Sequence, residues 1–212
     1  SNRFMLKGLL TQAGCEVTDL GIVPDRLEAT REALRQAADR HDLILTSGGV
    51  SVGEEDHLRP AMQLEGQLDL WQVAIKPGKP LALGSVRRRQ GGQTLYMGMP
   101  GNPVSTFVCS LLFVKPALDR MLGQSGAMPA SVPAKLAVDV SENDQREDYV
   151  RSKLTRAADG TLTVEPHKIQ DSSMLSVMAW ADALMIRPPH DRAHKKGDTV
   201  QVIDLARLPG GY

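Results

Sequence analysis

Apolar and polar positions are spaced in one way before residue 123 and in another after it. In the first stretch, helical and strand periods alternate. Residues 2–13 place Phe4, Met5, Leu9 and Leu10 near one face of a helix that Gly14 ends. Residues 15–23 alternate as a strand does. Asp25 and Glu28 have capping-box spacing, and the helix they open runs to about Arg40 with Leu27, Ala33, Leu34, Ala37 and Ala38 facing inward. A continuous apolar run at residues 43–46 then predicts a buried strand. Helix–strand–helix–strand order implies right-handed crossovers and a parallel sheet. Further on, the pattern predicts a helix over 57–66, a strand over 68–75 and a hairpin from residues 80–86 and 94–98. Asn102 and Pro103 have the types expected of a cap and a first helical residue, and Val104, Phe107, Val108, Leu111 and Leu112 give that helix its apolar face. Pro116 should kink or end it, with Met121, Leu122 and Gly123 closing the segment.

Residues 123–130 lack any period and read as a linker. Beyond them, short alternating strands are expected at 134–140, 149–156, 161–165, 182–187 and 199–204, with one helical piece at 172–180. The expectation is an α/β domain over residues 1–122 followed by a small all-β barrel over 131–212.

Composition narrows the function classes. Of 212 residues, 42% are hydrophobic and 24% charged, and the formal net charge is zero, so the whole chain has neither the basic excess of a nucleic-acid binder nor an attraction for anionic membranes. The basic run Arg87-Arg88-Arg89 reads as a solvated hairpin loop. No apolar segment approaches the roughly 20 residues of a membrane helix. Cys15 and Cys109, far apart and without metal or redox spacing, read as buried thiols of a reducing compartment. His190 and His194 are four residues apart, but Pro188-Pro189 and Gly197 argue for a loop rather than a metal-binding helix face. Met174, Met178 and Trp180 read as core. The chain opens on a helical pattern without a preceding strand, which suggests a start inside a domain.

Three punctuated stretches carry the candidate chemistry. In Ser47-Gly48-Gly49-Val50-Ser51 the glycines permit positive φ, so backbone N–H groups can turn toward one anion; a tight ligand-free turn is the plain alternative. Glu54, Glu55 and Asp56 follow, and Asp56 can hold a magnesium ion, orient a substrate group, or only favour a helix start. Lys76-Pro77-Gly78-Lys79-Pro80 presents two ammonium groups on stiff backbone, a pattern suited to an oxyanion. Pro100-Gly101-Asn102-Pro103-Val104-Ser105 aims a helix start, with Ser105 in its first turn, at the end of a strand. A well-capped helix explains it equally well.

Taken together, Ser-Gly-Gly-Val-Ser-Val-Gly-Glu-Glu-Asp, Ile-Lys-Pro-Gly-Lys-Pro and Met-Pro-Gly-Asn-Pro-Val-Ser resemble the molybdopterin molybdenumtransferases, bacterial enzymes related to the gephyrin E domain. Order and spacing agree over essentially the whole chain. The resemblance implies a molybdopterin-binding α/β sheet lacking its first strand, which leaves an open sheet edge, and then a C-terminal barrel. It implies a cytoplasmic homodimer that binds adenylylated molybdopterin and molybdate, inserts the metal and releases AMP with magnesium. By motif, Ser47, Gly48, Gly49 and Ser51 fall on the pterin-phosphate side and Asp56 on the magnesium side. Lys76, Lys79 and Ser105 line the oxyanion pocket beside Gly101 and Asn102, with Asp56, Lys76 and Lys79 as catalytic groups. Arg151 and Ser176 match an arginine and a serine near molybdate, although Lys168-Ile169-Gln170 replaces the family's Gly-His-Gln. Two other readings fit parts of the pattern: the related molybdopterin adenylyltransferase, which shares the glycine loop, and a non-catalytic scaffold that keeps the fold.

Overall fold

The computed structural model describes residues 2–49 and 57–208. It divides into two compact units, residues 1–73 with 78–110, and residues 74–77 with 111–212.

The first unit runs through α1 (Asn2–Gln12), α2 (Leu27–Arg40), β1 (Leu43–Ser47), α3 (Leu58–Glu65) and β2 (Gly66–Gln72). It leaves out β3 (Ile75–Lys76), which belongs to the second unit, and resumes with β4 (Pro80–Arg87), β5 (Gln93–Met99) and α4 (Pro103–Cys109). The strand order is β1-β5-β4-β2. Only β1 and β5 are parallel, from Leu43↔Leu95 to Ser47↔Met99; β4 is antiparallel to both its neighbours. The expected parallel sheet is therefore mixed, because the hairpin at 80–99 enters its middle. The strand expected over 68–75 also breaks. Its first part pairs with β4 through two register shifts, whereas Ile75 and Lys76 join another sheet.

Burial explains why α2 and α3 form. Leu34, Ala37 and Ala38 of α2 pack with Leu58, Ala61 and Met62 of α3 against Ile44, Ala82, Val86 and Tyr96 of the sheet. Tyr96 is fully buried, and its hydroxyl bonds to Thr46 Oγ1 at 2.7 Å. The capping box is absent: α2 starts one residue after Arg26, and Glu28 pairs with Arg31 at 2.7 Å instead of reaching back. Residues 15–23 form no strand. Leu20 and Ile22 are exposed, 52% and 90%, and β1 pairs only with β5 among the described residues, so the alternation has neither a ladder nor a core to face. Along α1 the buried residue is Leu6, while Phe4 points out at 69% exposure. The arginine run is not simply solvated. Arg87 bonds the Leu64 carbonyl, Arg88 the Thr94 hydroxyl and the His41 carbonyl, and Arg89 the Asp39 carboxylate.

A π turn (Ser110–Val114), all but its first residue in the second unit, precedes α5 (Lys115–Met121), so Pro116 passes in the first turn of a helix instead of ending one. No helix or strand occupies residues 124–131. Then come β6 (Val132–Leu136), β7 (Glu147–Arg156), β8 (Leu162–Pro166), α6 (Leu175–Trp180), β9 (Ala183–Arg187) and β10 (Thr199–Asp204). The order β7-β8-β6-β10-β9 closes on itself through β7–β9 pairing, a five-strand barrel, and β3 adds in parallel to β7. Ala134, Leu136, Val150, Val164, Ala183, Met185, Val200 and Val202 fill it. Each all-β strand expected from the alternation is present within a few residues, because each alternation here does bury one face. Trp180, expected in the core, is 36% exposed and lies edge-on to His167. Cys109 is buried but Cys15 only partly so.

Candidate functional site

In the first unit, register alone brings the punctuated stretches to one end of the sheet. Ser47 is the last residue of β1 and stands opposite Met99, the last of β5. The next backbone group, Gly48 N–H, donates to the Met99 carbonyl at 3.1 Å. Gly48 has φ +86°, a conformation that disfavours side chains other than glycine's, so the turn away from the sheet needs glycine. From Met99 the chain turns through Pro100 and Gly101 into α4. Asn102 sits at its N-cap with an extended backbone, and its carbonyl accepts the first helical bond from the Thr106 amide (2.9 Å) and a second bond from the Thr106 hydroxyl (3.0 Å). β4 starts at this same end, since Ala82 pairs with Gly98, and β2 ends there, since Gln72 pairs with Pro80. The Val73 N–H to Lys79 carbonyl bond (3.1 Å) closes the lysine loop at that edge. The Lys79 residue is exposed, whereas Ser105 is buried at 4% exposure in the first turn of α4.

One residue fastens two of these stretches together. Asn2 Nδ2 donates to Ser47 Oγ (2.8 Å), the Gly101 carbonyl (2.7 Å) and Thr106 Oγ1 (3.2 Å). Asn2 was missed by sequence reasoning because a polar residue at a helix start has no distinguishing pattern. Ser51, Asp56 and the neighbouring acids Glu54 and Glu55 lie outside the described residues.

The second unit presents a different cluster. Lys76 belongs to it and Lys79 to the first, so the expected lysine pair is divided between units. The β3–β7 ladder sets Lys76 beside Asp148, and its Nζ lies 3.2 Å from Asp148 Oδ2. Three residues along β7, Arg151 is 1% exposed. Its Nη1 donates to the Tyr149 carbonyl at 3.2 Å, but its Nε and Nη2 have no partner. Burial pulls the guanidinium below its ordinary pKa, opposed by the charges of Asp148 and Asp171. A buried cation with two unmatched donors is costly alone and well suited to an anion. Ser176, in the first turn of α6, is exposed. The two histidines noted in the sequence lie in a loop; His194 Nε2 pairs with Asp191 at 3.0 Å.

These features define a class: an α/β unit whose loops gather at the carboxyl ends of a parallel strand pair, joined in one chain to a closed five-strand barrel with a buried, unmatched arginine. Comparison with known proteins gives the family. Residues 1–120 match the probable molybdopterin binding domain family, and the chain belongs to it; residues 133–205 match the MoeA C-terminal region, domain IV. It is 32% identical to the molybdopterin molybdenumtransferase of Haemophilus influenzae over 99% of its own length and 51% of that protein's. It is 31% identical to that of Staphylococcus epidermidis, over 96% and 47%. The chain thus spans about half the length of these curated relatives. The fold matches the crystal structure of the molybdopterin biosynthesis moea protein of Pyrococcus horikosii with a TM-score of 0.73 at 22% identity, covering 96% of this chain and 47% of that one. No helix among the described residues is long and apolar enough to cross a membrane.

Proposed function

We propose that this chain forms part of a molybdopterin molybdenumtransferase, which inserts molybdate into adenylylated molybdopterin and releases AMP. The observation that carries the reading is Arg151. Its buried guanidinium keeps two donor nitrogens, Nε and Nη2, without partners in a chain of the probable molybdopterin binding domain family. An oxyanion such as molybdate satisfies both donors and the buried charge together. The glycine turn at Ser47–Gly49 and the corner at Gly101–Asn102 serve the pterin-phosphate side, and Lys76 and Lys79 supply further positive charge. Ser51, Ser105 and Ser176 act as hydroxyl donors. Magnesium enters this reading through Asp56. Among the described residues no group of three or more His, Cys, Asp or Glu side chains could hold a metal. A homodimer is part of the same proposal.

The test is molybdate-dependent AMP release from adenylylated molybdopterin by the protein as it is encoded, with magnesium present and absent. Release that ignores molybdate, or none at all, would count against the assignment. ATP-dependent adenylylation of molybdopterin would favour the adenylyltransferase reading, and pterin binding without turnover the scaffold.

A further inference from the structure

The backbone of Arg151 is held in an unusual way. On one side, β7 pairs with β9 from Asp148↔Arg187 to Ser152↔Ala183. On the other, the pairing register with β8 runs from Arg156↔Leu162 only to Ser152↔Pro166. At Arg151 the ladder on that side is therefore only half made by backbone, and a side chain supplies the missing acceptor. Gln170 Oε1 accepts from the Arg151 N–H at 3.0 Å, and Gln170 Nε2 donates to the Arg151 carbonyl at 3.0 Å. The same Nε2 donates to the His167 carbonyl at 2.8 Å, while the His167 N–H donates to the Arg151 carbonyl at 2.9 Å. One primary amide thus supplies the acceptor that the ladder lacks at the Arg151 N–H and bridges the Arg151 and His167 carbonyls. The orientation is fixed chemically, because a flipped amide would set NH2 against the Arg151 N–H and oxygen against two carbonyls.

We infer that Gln170 is a positioning residue: its amide fixes the strand at Arg151 so that the guanidinium stands ready for an oxyanion. This rests on the oxyanion reading above. The geometry has a chemical signature, because the clasp needs one acceptor and two donors on the same planar group. Gln170→Glu keeps the acceptor but opposes two carbonyls with a carboxylate, and Gln170→Met removes all three bonds. Neighbouring Asp171 does not substitute, since its Oδ1 is taken by the Ser173 amide and hydroxyl, both at 2.8 Å.

The experiment titrates molybdate into the encoded protein saturated with adenylylated molybdopterin. Wild type is compared with Gln170→Met, Gln170→Glu, Arg151→Ala and the Arg151→Ala/Gln170→Met pair. Amide exchange at residue 151 is followed in parallel. Both Gln170 variants are expected to weaken molybdate binding about tenfold while pterin affinity stays within about twofold, and to speed exchange at the Arg151 amide. The double variant is expected to be no weaker than Arg151→Ala alone, because the amide acts through the arginine. Should Gln170→Met fail to fold, Gln170→Glu carries the measurement. Wild-type molybdate affinity in a folded Gln170 variant overturns the inference, as does a loss that adds to that of Arg151→Ala. A wild type that binds no molybdate overturns the oxyanion reading itself, an outcome distinct from either.

Discussion

Replacing Arg151 with methionine should make this protein more stable and deprive it of its oxyanion response. The Arg151 residue is 1% exposed, its Nε and Nη2 are unmatched, and only the 3.2 Å bond from Nη1 to the Tyr149 carbonyl is returned. Leaving a buried donor unsatisfied costs about 1–3 kcal/mol, and the one bond returned is worth about 1 kcal/mol. Attraction to Asp148 and Asp171 offsets a further part. Methionine fills a similar volume without donors or charge, so a net gain of about 2 kcal/mol is expected, equivalent to roughly 4–8 °C in the melting temperature of a chain this size. Thermal unfolding by circular dichroism, with and without molybdate or tungstate, checks both halves. An anion at about 100 times its Kd raises wild-type stability by about 2.7 kcal/mol. Arg151→Met should show the higher melting point alone and no shift on adding the anion. A melting point several degrees below wild type, or an undiminished anion shift, would refute the account of Arg151 as an anion-binding group.

Other perturbations test the scaffold. Glu65 receives Arg35 (2.8 and 2.9 Å) and Arg31 (2.7 Å) across α2 and α3, so Glu65→Gln should lower stability by about 1 kcal/mol in chemical denaturation. The hydrogen bonds from Arg35, then Arg31, hold the Glu65 carboxyl below its ordinary 4.5. That contribution is fully present above 4.5 and lost as pH falls through the lower folded value, so wild type and Gln variant should converge in acid. The buried Thr94 hydroxyl lies 2.8 Å from the Ala38 carbonyl and 3.0 Å from that of His41, so Thr94→Val should cost about 1–2 kcal/mol. Burial pushes the Cys109 thiol up to about 12, so a thiol reagent at pH 8 should titrate Cys15 slowly and Cys109 only after unfolding.

Why the barrel was readable while parts of the α/β unit were not follows from what periodicity reports. Alternation in β7 and β10 is visible because Val150, Val200 and Val202 enter one closed interior. Residues 15–23 carry the same alternation without burial, since a period of two records what a strand could bury and not whether a partner exists. The mixed sheet was missed for a related reason. Helix–strand alternation suggests crossovers, but antiparallel β4 and β5 share the sheet with β1, and nothing in the apolar pattern separates a strand inserted by a hairpin from one inserted by a crossover. The capping box failed because Glu28 had a competing partner, Arg31, one helical turn away on the same face.

The candidate site divides along the same line. Glycine and proline stretches are legible because unusual backbone needs unusual residues, and Gly48 at φ +86° leaves the sheet where the sequence placed it. The residues that fasten these stretches are ordinary amides. Asn2 reaches residues 45, 99 and 104 positions away, and Gln170 reaches back 19 to Arg151. Amides are suited to this because one group both donates and accepts, so it can replace a missing backbone partner without importing charge. That neutrality also makes them silent in charge patterns and in apolar periodicity. Each is nevertheless demanding in chemistry: a carboxylate at 170 loses its donors, and an alanine at 2 leaves Ser47, Gly101 and Thr106 without a common link. The same reasoning gives Asn2→Ala a definite consequence: weaker pterin-phosphate binding with molybdate binding at Arg151 unaffected, checked by the same titrations. Equal loss at both would mean that Asn2 supports the fold rather than the turn.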